Sequence, residues 1–474
     1  MKYLAFDKDQ LVNLEYSLER EILSTNRAGG YLSTTIVLCN TRKYHGLMIL
    51  PIDEFDGENH VLLSNVDETV VQHEKVFNLG IHRYPGIYEP RGHKYIVDFE
   101  YEPTPTLVYR VGGVILKKEL LFVHNEEQVM IRYTLLDAHS PTKLRIKPFM
   151  AFRNVHSLSK ANLWANTKYQ ECSNGVRYKL YTGFPFLYMQ LNRQNEFVAS
   201  PDWYYNVEYM EEIRRGYEGH EDLFVPGYFE TSIRKGESII FSAATNEQST
   251  PALLRKFNSE LTRRPPKDSF MNCIANTARQ FIIQRGKRYD IIAGYPWFSS
   301  WSRDSFISLP GLTLGLDDVK TCKALLDSLS TDLKNGLFPN VRTGNSEAFN
   351  SADAPLWYFW AIQQYASYTQ NYTEVWDDYG KKMKAILKGY REGLPFSIKM
   401  QPNGLIWAGE KGYAITWMDA VIQAKPVTPR IGYPVEINAL WYNALMFTLE
   451  LATKNKDLRF VKEWPLYINP ILFL

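Results

Sequence analysis

The stretch AITWMDAVIQAKPVTPRIGYPVEINALWYNAL, residues 414–445, holds two carboxylates in unlike settings. Asp419 is flanked by Trp417, Met418, Ala420, Val421 and Ile422, while Glu436 follows Pro434 and reads as an acid in the first turn of a helix. Cleaving a glycosidic bond requires a carboxyl that keeps its proton near neutral pH, and apolar surroundings favour that neutral form. On this reading Asp419 is a general acid. The plainer alternative is a buried aspartate with its hydrogen bonds satisfied. Glu436 is either a second catalytic carboxylate or a group stabilised by the positive end of a helix dipole. An inverting pair of carboxyls stands about 6.5–9.5 Å apart, leaving room for a water.

Two further clusters suit a sugar, whose rings combine apolar CH faces with polar edges. In AGYPWFSSWSRDSFISLPGL, residues 293–312, Trp297 and Trp301 can stack, Arg303 can donate and Asp304 can accept. Asp304 equally suits a helix N-cap. In FPNVRTGNSEAFNSADAPLWYFWAI, residues 338–362, Asn340, Asn350, Asp353 and Trp357 crowd one segment and suit a subsite. Asp353 ahead of Ala-Pro is also a good N-cap, with the proline in the first turn.

Other chemistries lack support. The chain of 474 residues has a net charge of +2, which sets up no field for nucleic acid or an anionic membrane surface and fits a neutral substrate. Gly-rich NRAGGYLSTT contains neither nucleotide-binding pattern, and no GxSxG elbow or HExxH is present. His45 and His82 stand without ligand spacing, so no metal and no cofactor is expected. Cys39, Cys172, Cys273 and Cys322 are far apart, which fits a reducing compartment. With no apparent signal peptide and no apolar run long enough to span a bilayer, the expected location is cytoplasmic. Aromatic residues make 14% of the chain, and many adjoin Asp, Glu, Arg, Asn or Gly, as in PWFSSWSRD and DWYYNVEY. That mixture points to sugar contacts as well as to core.

These residues need elements to position them. Up to about residue 245 the chain alternates or runs β-branched, as in KYIVDFEYE, QVMIRYTLL and KLRIKPFMAF, with Gly, Pro, Asn and Asp between the runs. Many strands without intervening helices predict antiparallel sheets packed face to face. TPALLRKFNSELTR then reads as a linking helix, Pro265 and Pro266 punctuate the change, and Asp268 or Ser269 can cap a helix over FMNCIANTARQFIIQR. From there the periodicity is helical, near 305–315, 317–333, 354–371, 374–392 and 434–454. The divisions expected are a β-sandwich over 1–248, a linker helix over 249–267 and a helical domain over 268–474. The close, LRFVKEWPLYINPILFL, is apolar and carries two prolines.

At these motifs the chain resembles the bacterial and archaeal glycogen debranching enzymes of the amylo-α-1,6-glucosidase type. AGYPWFSSWSRDSFISLPGL is similar to that family's Trp-x-Arg-Asp signature, FNSADAPLWYFWA to its Asp-Ala-x-Leu-Trp loop, and TWMDAVIQAKPVTPRIGYPVEINALWYNAL to its most distinctive stretch. NRAGGYLSTTIVLCNTRKYHGLMI and DWYYNVEYMEEIRRGYEGHEDLFVPGYF carry the likeness into the first half. The resemblance implies a multidomain α and β fold, with an N-terminal antiparallel β-sandwich followed by an (α/α) toroid of six hairpins, here incomplete. It implies inverting hydrolysis of α-1,6 branch points in glycogen or limit dextrin, with Asp419 in the general-acid place. Trp301, Arg303, Asp304, Asp353, Trp357, Arg430 and Glu436 fall on motif positions expected to line the cleft, and Trp417 beside Asp419 is a further expected substrate contact. The family continues past the point where this chain stops, so the base is expected outside it, with Glu436 the one substitute within, and the chain as given is expected to be weakly active or inactive. No glucanotransferase domain is expected. Two other readings use the same residues: a glucan-binding protein without catalysis, and a related inverting glycosidase such as a glucoamylase or trehalase.

Overall fold

The alternating runs of the first half are realised as two antiparallel sheets. The computed structural model describes residues 3–343 and 346–464, so the apolar close of the chain from Pro465 lies outside the described residues. Contacts divide the chain into two units, Met1–Gln280 and Phe281–Leu474.

In the first unit, one sheet of nine strands runs in the order Ala5–Asp7, Ile96–Tyr101, Pro105–Val111, Val114–Phe122, Gln128–Asp137, Ser238–Ala244, Leu187–Leu191, Gly175–Tyr178, Gln170–Cys172. The second centres on Glu58–Gln72, flanked by Thr142–Asn154 and Gly46–Ile52. Period-two alternation sends one face of each sheet inward, and Leu107, Leu120 and Ile131 of the first share one core with Leu62, Leu144 and Ile146 of the second. A polar tie crosses this core. Glu68 of one sheet receives Lys118 Nζ at 2.7 Å and the Tyr133 hydroxyl at 2.5 Å from the other. Burial pushes the Glu68 carboxyl above its ordinary value against the pull of Lys118. Tyr133→Phe removes a hydrogen bond to this buried carboxylate and is expected to cost about 1.5–3 kcal/mol, read as a shift of the urea midpoint. An unchanged midpoint would show that Lys118 alone satisfies Glu68.

The helix expected to link the two halves, Leu253–Thr262, packs as part of the sandwich. Leu253, Phe257 and Leu261 repeat at helical spacing and cover Leu121, Val123, Met130 and Ile240 on the outer face of the nine-stranded sheet. Ser269 Oγ accepts from Asn272 N at 3.3 Å ahead of the next helix, Phe270–Phe281. That helix is shorter than its periodicity predicts. Ile282 and Ile283 leave it to pair with Ile291 and Asp290 across a turn in which Gly286 takes φ +58°, a conformation suited to glycine.

In the second unit the helices form a row with a backing layer. Ala354–Thr369 packs on Ser302–Leu312 on one side and on Val435–Lys454 on the other, while Val319–Ser330 and Tyr372–Glu392 pack behind. Their core includes Trp441, stacked on Tyr390 at 5.7 Å with its indole N–H donated to Gly404 O. No helix among the described residues is long and apolar enough to cross a membrane, and the four cysteines are free.

Candidate active site

The three helices of the row each bring a charged residue of the sequence motifs at their N-terminal ends: Arg303 in Ser302–Leu312, Asp353 just before Ala354–Thr369, and Glu436 in the first turn of Val435–Lys454. Helix N-termini carry partial positive charge and unpaired N–H groups, so carboxylates gather there at low cost.

Arg303 is the hub. Its Nε donates to Asp353 Oδ2 at 2.5 Å, its Nη2 to Thr416 O at 3.0 Å, and its Nη1 to Asp419 Oδ2 at 3.4 Å. A planar guanidinium can serve three acceptors in fixed directions, which a lysine cannot. Burial works against the charged Arg303, but the charges of Asp353 and Asp419 outweigh it and hold its pKa above the ordinary arginine value. Asp353 is 1% exposed and receives the Ser351 hydroxyl on its other oxygen at 2.6 Å.

Several expectations change at this point. Asp353 stands at the N-cap position but its side chain caps nothing; Ser351 Oγ accepts from Ala354 N instead, at 3.3 Å, which frees the carboxylate for Arg303. Asp304 is not an N-cap either, because Trp301 occupies that position. Burial raises the Asp304 carboxyl above its ordinary value, and the charges of Asp419 and Asp353 add to this against Arg303. Two carboxylates thus contact one guanidinium, and a third, Asp304, lies within the field of all three charges. The apolar enclosure expected for Asp419 is not formed: Trp417, Val421 and Ile422 are 54%, 50% and 67% exposed. Val421 and Ile422 lie in a two-residue strand paired with Lys425–Pro426, a short hairpin with both apolar side chains outward. Asp419 is held by an ion pair, and its Oδ1 has no hydrogen bond among the described residues.

Arg430 and Glu436 form a second pair beside the first. Both guanidinium Nη atoms meet both carboxylate oxygens, and Nη1 also reaches Thr416 Oγ1 at 3.2 Å. Burial alone would raise the Glu436 carboxyl, but Arg430 pulls it below the ordinary carboxylate range. The guanidinium of Arg430 lies 5.7 Å from the Trp417 ring centre. Thr416 links the two pairs, giving its carbonyl to Arg303 and its hydroxyl to Arg430.

The aromatic candidates divide. Trp417 belongs to the second pair. Trp297 is 37% exposed in the loop ahead of Trp301, and Trp301 pairs with Val341 in a short strand while meeting Phe298 edge-on at 6.3 Å. Trp357 turns to Trp360 at 5.7 Å and packs on the helical core, outside the Arg303 network. Ser351 and the Thr416 carbonyl are the members that sequence reading passed over. A serine two residues before an aspartate that opens a helix is the signal that was available for the first.

Arg303, Asp353 and Asp419 thus converge from segments far apart in sequence. Two family profiles match the chain: "Glycogen debranching enzyme N terminal" over residues 20–240 and "Amylo-alpha-1,6-glucosidase" over residues 276–464. The second spans every residue of this network. A glycogen debranching enzyme of Saccharomyces cerevisiae is 27% identical over 226 residues, covering 35% of this chain and 15% of that protein. This chain therefore matches only a small part of the curated relative's length. Among solved structures, a bacterial glucoamylase complexed with acarbose superposes with a TM-score of 0.50 at 11% identity, covering 96% of this chain and 66% of that one, a likeness of fold alone. The chain belongs to the glycogen debranching enzyme family, and its helical half matches that family's amylo-α-1,6-glucosidase profile.

Proposed function

We propose that the chain hydrolyses α-1,6-glucosidic branch points of glycogen or limit dextrin, with Asp419 as proton donor and inversion at the anomeric carbon. The observation that carries this reading is the seating of Asp419: one oxygen fixed by Arg303, the other without a hydrogen bond among the described residues, next to an exposed indole. In the proposed reaction Asp419 protonates the glycosidic oxygen, the bond to the anomeric carbon breaks, and water attacks that carbon from the opposite face while losing a proton to a base. A glucan lying on Trp417 and on the Val421–Ile422 hairpin would exclude water from Asp419 and supply the apolar cover that the free protein lacks. Glu436, engaged through both oxygens, holds Arg430 beside Trp417 and is not assigned as the base. The row of three helices with a backing layer is the arrangement expected of part of an (α/α) toroid, and we read it so.

The test is glucose release from limit dextrin, from maltose-type chains and from trehalose, with the anomer of the first product followed by NMR. Release of β-glucose from limit dextrin alone is expected. Preferential release from maltose-type chains would turn the reading to a glucoamylase, and retained glucan binding without release from any substrate to a binding protein.

Glu436→Gln tests the second pair. Its partners are about a quarter exposed, so stability should fall by no more than about 1 kcal/mol. KM for limit dextrin should rise several-fold with kcat little changed, because Trp417 loses its fixed neighbour. The sign with pH follows from the depressed carboxyl. The pair's contribution is present above the ordinary carboxylate range and is lost as pH falls through the lower folded-state value, so the wild-type advantage in melting temperature over Glu436→Gln should shrink in acid.

A further inference from the structure

A loop of the first unit, ANLWANTKY at residues 161–169, holds an indole in water. Trp164 is 88% exposed, more than Trp417 beside Asp419, and Leu163 next to it is fully exposed. Tryptophan is among the side chains most buried on average, and adjoining exposed apolar groups at a concave surface mark an interaction site. Trp164 borders a solvent-connected cleft of about 370 Å³, lined also by Tyr181 and Phe186 and by Asn166, Gln170 and Thr182. That volume falls within the ~300–1,000 Å³ of small-ligand sites. The cleft lies at the free edge of the nine-stranded sheet, where Gln170–Cys172 is the last strand.

The loop is fixed rather than slack. Asn162 Oδ1 accepts from Trp164 N and Ala165 N, both at 3.0 Å, and its Nδ2 donates to the Tyr181 hydroxyl at 2.9 Å. One amide thereby ties the indole loop to a ring of the cleft. Asn166 N donates to Leu180 O at 2.8 Å and closes the loop on the same segment. Phe186 is held by cations, with the Arg177 guanidinium 4.5 Å and the Lys179 ammonium 5.5 Å from its ring centre. Groups already ordered lose little entropy on binding. The polar members have capacity to spare. Asn166 spends its Oδ1 on Lys168 N and Gln170 its Oε1 on Arg177, while Asn166 Nδ2, Gln170 Nε2 and the Thr182 hydroxyl have no hydrogen bond among the described residues. Lys168 and Lys179 complete the polar lining, and among the described residues no carboxylate lines it. Flat apolar faces with neutral donors at their edges match a pyranose, which has CH faces and a hydroxyl rim. A protein partner needs about 800 Å² of surface per side, whereas the chemistry here is confined to one concave cleft at a sheet edge.

From this geometry we infer that the Trp164 cleft is a second glucan-binding site, which takes a short run of glucosyl rings from an outer chain of the polymer. The rings stack on Trp164, and Asn166, Gln170 and Thr182 donate to their hydroxyls. The ligand class rests on the glucan substrate proposed above, and the site does not depend on the role given to Asp419. A branched polymer offers many chains at once, so a second foothold raises the local concentration of chain ends without entering the reaction.

The test is retardation of the full chain in native gels containing glycogen, read beside glucose release from glycogen and from a small limit oligosaccharide. Trp164→Ala is expected to weaken retardation about tenfold. It should melt as wild type does, because the indole stands in water. Release from the small oligosaccharide should be unchanged, and KM for glycogen should rise several-fold. Trp164→Phe, which keeps a ring, should restore most of the binding. Asp419→Asn should be retarded like wild type, so loss of hydrolysis and loss of binding are read apart; a wild type that releases no glucose still decides the cleft by its retardation against Trp164→Ala. No retardation of the wild type, or equal retardation of wild type and Trp164→Ala, overturns the inference. So does an effect of Trp164→Ala confined to gels containing dextran sulfate, which would assign an anion site built on Lys168 and Lys179. A changed sedimentation of Trp164→Ala with glycogen binding intact would overturn it too, and would make the loop a contact between copies of the chain.

Discussion

Asp419→Asn is expected to lower kcat for glucose release from limit dextrin by about 10²–10⁴-fold, the range a positioned general acid contributes. The change is nearly isosteric. Asparagine can still accept from Arg303 through its amide oxygen, so the seat in the Arg303 network should persist and glucan binding should be nearly unchanged. Folding should be little affected, because Asp419 is 24% exposed at the side chain and its contact to Arg303 is the long one, 3.4 Å. The informative comparison is between a good leaving group and a poor one. A glucosyl substrate with an acidic phenol needs little protonation, so Asp419→Asn should spare it far more than limit dextrin. A loss equal for both substrates would point to a positioning role, and activity on limit dextrin within tenfold of wild type would remove Asp419 from the proton-donor place.

The residues of this network were legible one at a time, and their partnerships were not. Turn residues and period-two runs located the strands, and the helical repeats located the row, because those signals are local. Arg303 and Asp419 are 116 positions apart, and no spacing rule links them. Where local rules did speak, they gave the wrong partner at two acids. Asp353 follows the pattern of an N-cap, yet a buried arginine within reach outbids a backbone N–H that Ser351 can satisfy as well, and Asp304 falls inside the helix because Trp301 takes the N-cap position. The setting of Asp419 misled in another way. Apolar neighbours in sequence predict burial only when the chain folds over them, and here a two-residue hairpin turns Val421 and Ile422 outward.

The second large effect separates structure from chemistry at Arg303. Arg303→Met leaves Asp353 buried without its guanidinium, with Asp304 and Asp419 close by, and is expected to cost about 3–5 kcal/mol of stability. Asp353→Leu leaves the guanidinium buried with only the Thr416 carbonyl and the long contact to Asp419, and should cost a similar amount. Removing both charges at once removes both desolvation penalties, since an apolar pair of like volume can replace a buried ion pair at little cost. The double variant should therefore be more stable than the sum of the single changes predicts, with a coupling of about 3 kcal/mol by urea denaturation. Its activity should not return, because Asp419 has lost the group that fixes its Oδ2. Stability and activity recovering together would make Arg303 a purely structural residue. Additive losses would mean that the Arg303–Asp353 pair is weak despite its burial. Recovery of stability alone is the result expected of a guanidinium that both supports the helix row and aims the proton donor.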